Sequence, residues 1–129
     1  MINDSENQRM ELAKSTTVGT NCIGTVLYVL GILDSDTYVG SGERRWESGI
    51  VDGLLKQMIK IDNPKEGAIL VIRKNRIGHM GIIVQETPPL VYHRPGINKA
   101  IKSATPLNEV LNTYSHYPIK EFYIKSSPR

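Results

Sequence analysis

The apolar residues of this chain change their period at one place, and that change limits the available folds more than any other feature. Before Asn63-Pro64 they recur every three to four residues; beyond it they alternate or run unbroken over short stretches. Helical spacing first, then strands that follow one another directly, argues for helices packed on an antiparallel sheet rather than for alternating strand–helix units. The expected class is therefore α+β.

The elements can be placed from local signals. Asn21 suits a helix N-cap, and Val26, Val29, Leu30 and Leu33 follow Cys22 at helical spacing, which predicts a buried helix beginning at or beside the cysteine. Gly31 and Asp34 to Asp36 should end it. Asp52 is a second cap, with Leu54, Leu55, Met58, Ile59 and Ile61 as the apolar stripe of a helix that reaches Asn63-Pro64. Between the two helices, residues 34–49 are rich in Gly, Ser and charge and read as a mobile surface loop holding Asp34, Asp36, Glu43 and Glu47. Residues 1–20 read as a polar lead-in with a helical turn or two around Gln8 to Lys14. Strands are expected at Ala68–Arg73, Ile77–Val84, Leu90–His93 and Glu121–Lys125, with a short helix around Leu107 to Leu111 after Pro106.

A chain of 129 residues with 40% hydrophobic and 22% charged side chains is sized and composed for one compact domain spanning 1–129. Its single cysteine excludes an internal disulfide and any Cys-based metal cluster. The N-terminus is polar and acidic, without the features of a secretory signal, and no stretch approaches the roughly 20 apolar residues of a membrane span. The expectation is a soluble protein, cytoplasmic as synthesised, which would need a specialised secretion route, a phage or lysis to reach a target outside the cell. Residues 1–63 carry 6 Lys and Arg against 9 Asp and Glu, and residues 64–129 carry 10 against 4. The asymmetry reads as a solvated basic face, with an anionic surface such as cell-wall polymer or nucleic acid as the alternative; no aromatic-plus-basic cluster of the kind that binds single-stranded nucleic acid stands out, and neither a nucleic-acid nor a membrane partner is expected.

Two residues stand out chemically. A thiol in the first turn of a helix feels free backbone N–H groups and the positive end of the helix dipole, which favour the thiolate and predict a lowered pKa for Cys22. The same N–H groups point to where an oxyanion would form. His79 lies within the apolar run Ile77-Gly78-His79-Met80-Gly81-Ile82-Ile83, where alternation puts Ile77, His79, Gly81 and Ile83 on one face. Gly81 leaves room beside the imidazole, and a helix start carrying Cys22 would fit there. His93 ends the next strand and, as a neighbour of His79, would accept its N–H and fix its tautomer. His116 lies in a polar segment and is read as structural. Zinc ligation by one Cys and two His lacks the close ligand spacing such sites use, and neither a carboxylate pair nor a phosphate-binding glycine loop is present. No metal or cofactor is expected.

These segments resemble a known family. Asn21-Cys22-Ile23-Gly24-Thr25-Val26 is similar to the Asp-Cys-Ser-Gly-Phe-Val start of the nucleophile helix in NlpC-type cell-wall peptidases. Pro64-Lys65-Glu66-Gly67-Ala68-Ile69-Leu70 resembles their Pro-Gly-Asp-Leu lead into the first core strand, Gly78-His79-Met80-Gly81-Ile82-Ile83 their Gly-His-Val-Gly-Ile strand, and Val91-Tyr92-His93 the site of their third polar residue. The resemblance implies a circularly permuted papain-like fold with Cys22 as nucleophile, His79 as general base, His93 as orienting residue, and Asn21 with Cys22 at the helix cap and oxyanion site. It implies hydrolysis of amide bonds, above all in peptidoglycan stem peptides. Ile23 stands where the family carries a small Ser, and the segment before Cys22 lacks the tyrosine that many members place near the oxyanion. Two alternatives accompany this reading: a catalytically silent interaction module of the same fold, and an acyltransferase or deamidase of the wider superfamily.

Overall fold

A computed structural model of the chain describes residues 2–40 and 45–126, the side chains of 45–48 excepted. The order is α1 (Asp4–Ala13), α2 (Cys22–Val29), α3 (Arg45–Lys56), β1 (Met58–Ile61), β2 (Ile69–Arg73), β3 (Ile77–Glu86), β4 (Pro89–His93), β5 (Lys102–Pro106), α4 (Leu107–Thr113) and β6 (Ile119–Lys125). The six strands form one antiparallel sheet in the order β1-β6-β2-β3-β4-β5. The chain is α+β, and among its described residues no helix is long and apolar enough to cross a membrane.

Both sheet faces are covered, which explains why β2 reads as an unbroken apolar run rather than an alternating one. Its Ile69 and Val71 join Met80, Ile82, Tyr92 and Tyr123 beneath α1, α2 and α3. Leu70 and Ile72 join Ile83 and Val91 on the other face, beneath Leu107 and Val110 of α4. Each such side chain removed from water contributes about 1.5–3 kcal/mol, so the central strands hold the two layers together.

Several expectations are corrected. The lead-in is a ten-residue helix, begun by Asn3, whose side chain accepts from the Glu6 N–H at 2.8 Å while Glu6 accepts from the Asn3 N–H at 3.0 Å. It is anchored by buried Met10 and Ala13. The second long helix stops at Lys56, and Met58, Ile59 and Ile61 belong to β1, paired with β6. Those residues suit either period over so short a run, and pairing with β6 decides it. The segment after α2 is no mobile loop, since Asp36 and Val39 are buried. It lies so close to α2 that a Cβ on Gly24 would sit 1.6 Å from the Thr37 carbonyl oxygen. Glu43 and the Glu47 side chain lie outside the described residues. The strand β5 was not anticipated, because Lys102-Ser103-Ala104-Thr105 carries almost no apolar signal.

Candidate active site

The helix that carries Cys22 is set by its cap. The Asn21 side chain accepts from the Gly24 N–H at 3.0 Å and from the Val39 N–H at 3.1 Å, and its amide donates to the Val39 carbonyl at 2.7 Å. Asn21 is thus the expected cap, with its side chain committed to backbone. Cys22 opens the first turn and is partly exposed.

The route by which α2 reaches His79 differs from the one the alternation implied. The β2–β3 register shifts between Ile72, opposite His79, and Arg73, opposite Ile77, so a bulge at Gly78 breaks the alternation. Ile77 consequently packs with Met80 and Ile82 in the α2 layer instead of sharing the His79 face. The space at Gly81 receives β4, not α2: a Cβ there would lie 2.6 Å from Val91 Cγ1 and 3.3 Å from His93 Cβ. Cys22 instead approaches β3 from the other layer, at the end where β4 no longer pairs. The β3–β4 ladder begins at Ile82–Tyr92, and His79 and Met80 lie just beyond it.

Burial around that sulfur pushes the Cys22 thiol up, and the N–H groups of Met80, Ile23 and Cys22 itself pull only partly the other way. The expected lowered pKa is therefore corrected: desolvation outweighs the helix start. At rest the side chain is therefore a thiol.

His79 is 1% exposed and His93 5%. His79 Nε2 lies 2.7 Å from His93 Nδ1, and His93 Nε2 lies 3.3 Å from the Thr105 hydroxyl. The two rings stand nearly perpendicular, at 89°, and the absent side chain of Gly81 allows this close approach. Tyr114 stacks on His79 with ring centroids 4.1 Å apart and planes 11° off parallel, which fixes the imidazole plane. Burial, then the neighbouring His93, lowers His79 to about 3; burial, then Lys102, lowers His93 to about 4. Both rings are neutral at neutral pH.

Cys22 and His79 line one cleft of about 290 Å³, walled by Tyr38, Pro95, Ile97 and Tyr114. Nε2 of His79 is engaged by His93, and Nδ1 makes no hydrogen bond within the described structure. No family model, curated protein or solved structure matches the chain.

The sequence-selected residues Asn21, Cys22, His79 and His93 thus meet at one end of the sheet. His116 does not: it is exposed and lies against Tyr117. Among the described residues no three His, Cys, Asp or Glu side chains gather to hold a metal ion. Two residues were not singled out from the sequence. Tyr114 stacks on the imidazole and donates its hydroxyl to the Pro95 carbonyl at 2.9 Å, which ties α4 to the cleft wall. Thr105 stands behind His93. Nothing in the polar text around either residue signals these contacts; only the position of Tyr114 one residue past a short helix hints at a fixed ring.

A second polar cluster frames the site from below. Arg94 is fully buried and pairs with Asp36 at 2.8 Å. Its Nε donates to Thr25 at 2.8 Å, and its Nη groups donate to the Ala13 carbonyl at 3.0 Å and the Lys99 carbonyl at 2.5 Å. Thr20 and Thr25 donate to Asp36 Oδ1. One guanidinium therefore joins the end of α1, α2, the segment after α2 and the loop after β4. Asn98, at φ 56°, adds a pin: its side chain accepts from the Gly19 N–H at 2.6 Å.

Proposed function

We propose that this protein is a cysteine hydrolase of amide bonds, papain-like in the NlpC manner, with Cys22 as nucleophile, His79 as general base and His93 as the residue that orients the base. The observation that carries this reading is the 2.7 Å hydrogen bond between His79 Nε2 and His93 Nδ1, which leaves Nδ1 as the unbonded nitrogen of a ring that lines the same cleft as Cys22. A base held in this way turns its other nitrogen to the nucleophile.

In this mechanism His79 Nδ1 takes the thiol proton as Cys22 Sγ attacks the amide carbonyl, and the Cys22 N–H stabilises the oxyanion. The proton passes to the leaving amine as the C–N bond breaks. Water then attacks the thioester, giving its proton to His79, and the acid departs with the thiol restored. Because the resting thiol is raised and the imidazole neutral, proton transfer accompanies attack rather than preceding it. Peptidoglycan stem peptides are the first substrates to try, and mass analysis of the products separates hydrolysis from acyl transfer or deamidation. Cys22→Ala should abolish turnover, a loss of several orders of magnitude, while leaving the denaturation midpoint nearly unchanged. Full activity in that variant would overturn the assignment.

The raised thiol favours one rival, an interaction module of the same fold without turnover. Iodoacetamide alkylation followed against pH separates the two. Slow, ordinary thiol kinetics unaffected by His79→Ala supports the module, and a rate that depends on His79 supports the hydrolase.

A further inference from the structure

The histidine pair can be wired in two ways. In one, His93 carries its proton on Nε2 and donates to Thr105, its bare Nδ1 accepts from His79 Nε2–H, and His79 Nδ1 is left bare toward the cleft. In the other, Thr105 donates to His93 Nε2, His93 Nδ1–H donates to His79 Nε2, and His79 turns an N–H to the cleft. Only the first leaves an acceptor for the thiol proton.

We propose that Thr105 is a positioning residue that holds the pair in the first wiring. The proposal rests on the hydrolase reading for its functional meaning, although its structural content stands apart from it. His93 is buried, and the Thr105 hydroxyl, itself largely buried and 3.3 Å away, is the one partner that His93 Nε2 has within the described structure. With that oxygen gone, a proton on Nε2 becomes an unsatisfied buried N–H, which proteins avoid. A proton on Nδ1 would still be satisfied by His79 Nε2 at 2.7 Å. Loss of the hydroxyl therefore flips both rings together, because His79 and His93 share a single proton position between them. The shared cleft favours the first wiring as well: Cys22 and His79 both line it, and a thiol there can pass its hydrogen only to a bare nitrogen.

The experiment is heteronuclear NMR of the imidazole nitrogens, which reads which nitrogen of each ring is protonated, on the wild type, Thr105→Val and Thr105→Ser. Protons on Nε2 of both His79 and His93 are expected in the wild type and the serine variant, and on Nδ1 of both in the valine variant. Cys22 alkylation at neutral pH should fall about tenfold in Thr105→Val, the factor that one unsatisfied buried N–H implies, and recover in Thr105→Ser. A wild-type His79 protonated at Nδ1, or rings unchanged by Thr105→Val, would overturn the proposal. If Thr105→Val does not fold, the wild-type spectrum decides alone. An unreactive Cys22 with the expected tautomers would instead sink the hydrolase and leave the Thr105 assignment standing.

Discussion

Two buried polar clusters lie within a few residues of each other in the chain, and they are finished to different degrees. Around Arg94 every polar group is answered: both Asp36 oxygens accept, and the guanidinium donates through Nε and both Nη groups. Around His79 the pairing is sparse, with one short bond to His93, one longer bond to Thr105, and one nitrogen unbonded within the described structure. A satisfied cluster fixes geometry; one with an unbonded nitrogen, on a ring that shares a cleft with a thiol, has a hydrogen-bonding group still uncommitted. The difference separates scaffold from site without reference to any relative.

The largest effect should come from the scaffold side. Arg94→Met leaves the Asp36 carboxylate buried without its counter-charge, and a loss of about 3–5 kcal/mol in urea denaturation is expected. A loss below about 1 kcal/mol would mean that the clamp is not what distinguishes the clusters.

Acid should act on the other cluster. Both histidines titrate in the fold well below their ordinary 6.5, at about 3 for His79 and about 4 for His93. The unfolded chain therefore binds protons first as pH falls. Their contribution to stability is complete above about pH 6.5 and is lost on descent toward pH 4 and then 3, with a limiting slope of about 1.4 kcal/mol per pH unit for each ring. Urea midpoints measured from pH 7.5 to 4 check this, and His79→Gln should flatten the curve. A midpoint independent of pH would remove the contrast between neutral and charged clusters.

The smallest effect joins the two regions. Asn21 caps the Cys22 helix and holds Val39, in the segment that carries Asp36. Asn21→Ala should cost about 1 kcal/mol and slow Cys22 alkylation. Unchanged alkylation would show that the cap supports the scaffold alone.

The legibility of these regions in the sequence follows from how local their causes are. The Asn21 cap, the cysteine helix start and strands β2 to β4 were readable because cap chemistry and apolar period act over a few residues. The class α+β followed from them. What escaped depended on distant partners. The bulge at Gly78 is set by pairing with β2, and it moved Ile77 to the opposite layer. The role of Gly81 was misread because a glycine shows that something approaches, not what. Thr105 and Asp36 sit in polar text, and burial came to them through His93 and Arg94. The thiol pKa went the other way because the packing around sulfur is tertiary, whereas the helix start is local.

The strand β5 closes the sheet on one side, with a neighbour on one flank only among the described residues and four of its five residues exposed. Outer strands fray before central ones as temperature rises. Thr105 hangs from that strand, while Cys22 and His79 belong to interior elements, so warming would detach the far end of the histidine relay first. In the proposed hydrolase, turnover would then be lost below the temperature at which the fold itself melts, with Cys22 and His79 still in their seats.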